Sequence, residues 1–227
     1  MSGEGPSGSH RDPFEAVRWD LVPGRTALVL IDLQRDFLHR DGWYAASGVD
    51  IAHMRRVIEP THRLVTAARA AGVPIVWTRH GFRGEEDAGP FFQLRPFLRD
   101  GGLRLDTWGF DLLDDFDVRD EDWITEKNRL SAFFETKLDL VLRGLHAETV
   151  LVAGVLTNQC VAATSKDAAF RDYRPIVVEE CTGTTLPHLH EPALEMMRVG
   201  WAEVRGLDEV LGELATLAAA APAGDAS

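Results

Sequence analysis

The stretch Thr149-Val-Leu-Val-Ala-Gly-Val-Leu-Thr-Asn-Gln-Cys-Val-Ala-Ala-Thr164 decides the fold. Its opening residues form an apolar run with no polar alternation, which predicts a short strand buried on both faces. Thr157-Asn-Gln159 then reads as a turn, and the small residues from Cys160 onward as the start of a helix. A thiol at a helix N-terminus sits at the positive end of the helix dipole, beside unpaired backbone N–H groups. Both favour thiolate over thiol, so Cys160 is expected to be a nucleophile of low pKa.

Two other apolar strands also end abruptly in ionisable groups. Thr26–Ile31 runs into Asp32, and Asp122-Trp-Ile-Thr-Glu126 runs into Lys127. Further strands are expected at Val73-Pro-Ile-Val-Trp-Thr78, Pro175-Ile-Val-Val-Glu179 and Ala202-Glu-Val204. Helical periodicity falls between them, at about 55–71 (closed by Gly72), 136–145, 158–172, 190–199 and 207–217. Aliphatic strands alternating with amphipathic helices predict an α/β protein with a mainly parallel sheet covered on both faces. Ligands of such sheets bind beyond the carboxyl ends of the strands, which is where Asp32, Lys127 and Cys160 are expected to meet.

The 227 residues suit one domain, expected over 14–217, with disordered Gly/Ser/Pro-rich and Ala-rich tails at 1–13 and 218–227. A net charge of −12 disfavours nonspecific binding to nucleic acid or anionic membranes. No apolar run approaches the ~20 residues that cross a bilayer, and no secretory signal is read at the N-terminus. With two cysteines and no disulfide framework, a cytoplasmic protein is expected. The segment 80–121 is longer than an ordinary connection and rich in aromatic and apolar residues, among them Phe82, Phe91, Phe92, Leu94, Phe97, Leu98, Trp108 and Phe110. That suggests a lid or an oligomer contact.

Singly, each ionisable residue has an ordinary reading: a strand-terminal cap for Asp32, a surface lysine for Lys127, a buried small hydrophobe for Cys160. Together they fit nucleophilic catalysis. The carboxylate takes the thiol proton, and the ammonium, kept protonated by its neighbours, holds both anions. Cys181 follows Val-Val-Glu-Glu, away from any helix start, and reads as structural.

Asp32-Leu-Gln-Arg-Asp-Phe37, Lys127 and Gly154-Val-Leu-Thr-Asn-Gln-Cys160 together resemble the isochorismatase-like cysteine hydrolase superfamily, over about residues 24–205. The resemblance implies a Rossmann-like three-layer α/β/α sandwich and an Asp32–Lys127–Cys160 triad. It further implies a cis peptide at Val155–Leu156, an oxyanion hole from the backbone N–H groups of Leu156 and Cys160, and a homodimer or homotetramer. The metal ligands of the family's nicotinamidases are not matched: Asp50-Ile-Ala-His53 is one residue out of register, and Thr78-Arg-His-Gly-Phe82 replaces the second ligand run. No metal and no cofactor are therefore expected. Thr107-Trp-Gly109 and Asn128-Arg-Leu-Ser-Ala-Phe-Phe-Glu-Thr136 are similar to patterns of ureidoacrylate and biuret hydrolases.

Phe37, Trp77, His80, Trp108, Phe133 and Phe134 are candidate substrate-lining residues, since pockets are mainly apolar and aromatic. Asp36 and Gln34 are expected to orient the turn after Asp32. Arg83 and Arg95 would suit a substrate carboxylate; Glu85, Glu86 and Asp87 would suit a cation. The expected function is cleavage of a C–N bond in a small-molecule ureide, amide or lactam, with water resolving a thioester. The alternatives are a streptothricin-type lactam hydrolase and a noncatalytic redox-sensing member. A nucleotide-binding domain is disfavoured, because no glycine fingerprint follows the first strand.

Overall fold

A computed structural model describes residues 17–220. Six strands form one parallel sheet: β1 (Thr26–Ile31), β2 (Ile75–His80), β3 (Trp123–Lys127), β4 (Thr149–Val155), β5 (Arg174–Gly183) and β6 (Glu203–Arg205), in the order β3-β2-β1-β4-β5-β6. The longer helices are α1 (Ile58–Ala70), α2 (Leu138–Gly144), α3 (Ala162–Ala169), α4 (His190–Gly200) and α5 (Leu207–Ala220). None of the described helices is long and apolar enough to cross a membrane.

Alternation along the strands builds two cores. Leu28 and Leu30 of β1 pack with Leu64 and Val65 of α1 and Val210 and Leu214 of α5. Ala27, Val29 and Ile31 face the other way, towards Leu138 and Leu142 of α2, Ala168 of α3 and Leu194 and Met197 of α4. Successive side chains of a strand point to opposite faces, so a continuous apolar run fills both layers of a three-layer α/β/α sandwich.

Chain order reverses at β1. Strands β2 and β3 extend one way from it, whereas β4 returns to its other side. Asp32 leaves the end of β1 and Cys160 follows β4, so acid and thiol flank the switch point, where the crevice of an open sheet lies. The register His80↔Lys127 places those two side chains next to each other on β2 and β3.

The long helices match the sequence reading, with two differences. Cys160 lies in a wide turn over Thr157–Val161, and regular helix begins only at Ala162 and ends at Ala169. The final helix reaches Ala220, three residues into the stretch read as tail; 1–13 lies outside the described residues. The segment after β2 also contains regular structure. It holds short helices at Glu85–Ala88 and Phe91–Leu94 and single turns at Pro96–Leu98 and Trp108–Phe110. Phe82, Phe92, Leu98 and Phe110 are buried against their own chain, so its apolar content is mostly explained without a partner; Leu94 and Trp108 stay exposed.

Candidate active site

The sheet brings Asp32, Lys127 and Cys160 into contact. Lys127 Nζ lies 2.7 Å from Asp32 Oδ2. It donates to Cys160 Sγ at 3.4 Å and to the Arg129 carbonyl at 3.0 Å. The Asp32 and Lys127 side chains are fully buried, and Cys160 is 2% exposed.

Asp32 is held from three sides. It adopts a positive φ of 53°, a conformation that L-residues other than Asn and Asp seldom take and that clusters at functional sites. Thr78 Oγ1 donates to Asp32 Oδ1 at 2.6 Å and accepts the Asp32 N–H at 3.1 Å. Gln34 ties the ends of β1 and β2 together: its Nε2 donates to the carbonyls of His80 and Phe110, and its Oε1 accepts the His80 N–H at 2.7 Å. Asp36 accepts the N–H groups of Trp43 and Leu103, which fixes the turn after Asp32 as expected and anchors the later segment to it.

At the other side of the switch, Gly154 has φ +117°, and a Cβ there would lie 2.1 Å from the Ile31 carbonyl oxygen. Only glycine lets β1 and β4 approach this closely, two residues before the loop that carries the thiol. The Val155–Leu156 peptide is cis. Thr157 Oγ1 lies 3.0 Å from His190 Nδ1, which ties the start of the cysteine turn to α4.

Burial reverses one expectation. It pushes the Cys160 thiol up to about 12; Lys127 pulls it down and Asp32 pushes it further up. The resting residue is a thiol, because desolvation of a thiolate outweighs the one ammonium beside it. For Lys127, burial opposes the charge, but Asp32 beside it outweighs that and holds its pKa above that of free lysine. The ammonium therefore persists, and Asp32 is the group placed to accept the thiol proton.

His80 is the last residue of β2 and is buried. Its Nδ1 is 4.0 Å from both Cys160 Sγ and Asp32 Oδ2, and its Nε2 has no hydrogen-bond partner among the described residues. Burial, then the charges of Lys127 and Arg129, hold it well below the usual imidazole range, so it is neutral. Asp32, His80 and Cys160 offer donor atoms within 4.8 Å of one another. The Lys127 ammonium already contacts two of them, and a metal there would face that positive charge. His53, the near-match to a family metal ligand, uses Nδ1 to accept the Thr184 N–H and sets Nε2 3.1 Å from Arg56.

The aromatic candidates take different positions. Trp77 faces the opposite core, with Nε1 donating to Asp122 and its ring against Phe116, because it lies three positions from His80 on one strand. Phe133 is buried against Tyr173, and Phe134 is 47% exposed. Trp108 lies on the surface, where Arg35 covers its ring. Phe37 is buried against Tyr44, whose ring centroid is 4.7 Å away. Thr78 was missed by the sequence reading, since it carries no local motif.

The chain matches the Isochorismatase domain over residues 26–209. It is 30% identical over 195 residues to ureidoacrylate amidohydrolase RutB of Klebsiella pneumoniae subsp. pneumoniae, covering 80% of this chain and 83% of that protein. To the protein of the same name from Methylorubrum extorquens it is 31% identical over 228 residues, covering 88% and 92%. A crystal structure of a cysteine hydrolase from Pseudomonas syringae pv. phaseolicola superposes with a TM-score of 0.81 at 26% identity, over 89% of this chain and 98% of that one. The chain belongs to the isochorismatase family, and it is a hydrolase with that family's α/β sandwich.

Proposed function

We propose that the protein is a cysteine-dependent amidohydrolase that cleaves a C–N bond of a small ureide or amide. The observation that carries this reading is the contact set at the switch point: a carboxylate 2.7 Å from an ammonium that itself lies 3.4 Å from a buried thiol. Similarity to two ureidoacrylate amidohydrolases supports a ureide as the substrate class.

As substrate binds, Cys160 passes its proton to Asp32 and Sγ attacks the carbonyl carbon. The C–N bond breaks as Asp32 returns that proton to the leaving nitrogen. Water, deprotonated by Asp32, then adds to the thioester and releases the thiol. Lys127 stays charged throughout and offsets the negative charge that moves between carboxylate and sulfur. The backbone N–H groups of Leu156 and Cys160 are assigned to the oxyanion of the tetrahedral intermediate; such a donor contributes roughly 3–4 kcal/mol. A redox sensor would need neither the acid nor the lysine.

The reacting side chains are closed off from solvent. A cleft of about 240 Å³ lined by Arg83, Asp87, Glu126 and Glu135 also borders Lys127, but its side chain is wholly buried. The segment after β2 supplies Arg83 and Asp87 to that cleft, and the covering role is assigned to it. A homodimer or homotetramer belongs to the same proposal; light scattering that returns a 25.1 kDa particle would remove it.

The test is ammonia release and mass change across a panel of ureides, primary amides and lactams, with Cys160→Ala as the blank. Turnover of a ureide by the native chain alone supports the reading. Equal turnover by the Cys160→Ala variant would sink it.

A further inference from the structure

We propose that His190 is a positioning residue for the hydrolase reaction, holding the turn that carries Cys160, and that His53 supports the same turn from a second side. This deepens the hydrolase reading and rests on it. The turn over Thr157–Val161 is wider than an α-helical turn: the Val161 N–H reaches back five residues to the Leu156 carbonyl, at 3.2 Å. Such wide turns are rare and recur at functional sites. Leu156, which precedes it, makes no side-chain cap. The shape of the turn therefore has to be fixed by what packs around it.

Two adjacent residues of the turn are tethered, each through a histidine. Thr157 is fully buried, and its Oγ1 lies 3.0 Å from Nδ1 of His190, which is 4% exposed at the start of α4. Asn158 Oδ1 accepts the Thr184 hydroxyl at 2.7 Å, and the Thr184 N–H donates to His53 Nδ1 at 3.2 Å. The two imidazoles meet edge-on, with ring centroids 4.9 Å apart. His53 belongs to a short helix, Ala52–Arg55, that packs closely on the end of β5: a Cβ on Gly183 would lie 2.8 Å from the His53 carbonyl oxygen. The turn is thus held against a helix that follows β1, the end of β5 and α4, which lie far apart in the chain. Among the described residues His190 has no hydrogen bond to Asp32, Lys127 or Cys160, so it acts through Thr157. What it protects is the 3.4 Å contact from Lys127 to Cys160 Sγ. Misplacing a reacting group by about 1 Å can cost on the order of 10²-fold in rate.

Two readouts on one set of variants test this. Amide hydrogen exchange of the stretch 155–162 follows the turn without any substrate, and kcat on the best ureide of the panel follows the chemistry. His190→Phe keeps a ring and removes the hydrogen-bonding nitrogen; Thr157→Val keeps the shape and removes the hydroxyl. Each should speed exchange in that stretch about 10-fold, as expected for one lost buried hydrogen bond. Each should also lower kcat about 10- to 100-fold with KM little changed. Both substitutions cut the same tether, so the double variant should be no worse than either single one. His190→Asn sets an amide where Nδ1 stood and should recover most of kcat. His53→Phe should show a smaller loss, since it leaves the bond from Thr184 to Asn158 in place. If the Phe variant at 190 fails to fold, Thr157→Val against His190→Asn carries the comparison. Losses that add in the double variant, exchange unchanged in the single ones, or a loosened turn with native kcat overturns the proposal. Turnover that survives in Cys160→Ser, or none by the native chain on any ureide, sinks the hydrolase reading instead, while exchange still decides the tether.

Discussion

The two cysteines lie on opposite faces of the sheet, Cys160 in the core beneath α2 to α4 and Cys181 in the core beneath α1 and α5. Both are buried, and burial pushes both thiols up to about 12. Resting protonation therefore does not separate them. Their neighbours do: Cys160 touches an ammonium and sits beside a carboxylate, whereas Cys181 lies within an apolar core. Reactivity here resides in what can accept a proton and hold a charge, more than in the acidity of the sulfur.

The largest expected effect breaks that symmetry directly. Cys160→Ser should lower kcat by roughly 10⁴-fold or more, the scale seen when a nucleophile that works as part of a unit is removed. Cys181→Ser should leave kcat unchanged. Steady-state kinetics on the best ureide of the panel decides it, and a large kcat loss in the Cys181 variant would end the distinction.

Asp32→Asn sharpens the comparison because it should move two observables in opposite directions. Turnover should fall about 10²- to 10⁴-fold with the general base gone. Yet Asp32 raises the thiol pKa, so its neutralisation should make Cys160 easier to ionise and faster to alkylate with iodoacetamide at a fixed pH. Slower alkylation in this variant would show that the carboxylate activates the resting thiol after all.

Lys127→Met removes the cation from a fully buried pair. Leaving one buried charge unpaired costs about 3–5 kcal/mol, so the variant should unfold at clearly lower urea concentration. It should also raise the Cys160 pKa further, since Lys127 pulls it down, and slow its alkylation. Unchanged stability would mean that the Asp32 carboxylate is not charged in the native fold.

These variants target residues that were legible in the sequence, for a physical reason. A buried strand is an apolar run, and an ionisable side chain at its end interrupts the pattern, so Asp32 and Lys127 announced themselves, as did Cys160 at its turn. Thr78 did not, because its role depends on the pairing of β1 with β2, which no local pattern shows. Trp77 was misplaced although strand alternation could have excluded it: it is three positions from His80 and two residues on one strand face the same way only at even spacing. The raised thiol pKa was hidden because burial is a tertiary property, while a helix start is a local one.

The smallest effect tests whether burial alone sets the protonation of the inert cysteine. An exposed thiol titrates near 9.0, and the folded Cys181 is pushed up to about 12. Below pH 9 both folded and unfolded chains hold this proton, so its contribution to stability is fully present. Above pH 9 the unfolded chain releases it while the folded chain does not, and stability falls by up to about 1.4 kcal/mol per pH unit until the folded pKa is reached. Cys181→Ala lacks that slope. The variant should be less stable at neutral pH by roughly 1 kcal/mol, from the lost packing of a buried side chain. The gap to the native chain should then narrow as pH rises above 9. Cys160 is present in both chains, so its own titration cancels in the difference. Urea midpoints between neutral pH and the onset of alkaline unfolding provide the measurement. A gap that stays constant would mean that the Cys181 thiol ionises as readily inside the fold as outside it, and that the two sulfurs differ in acidity as well as in neighbours.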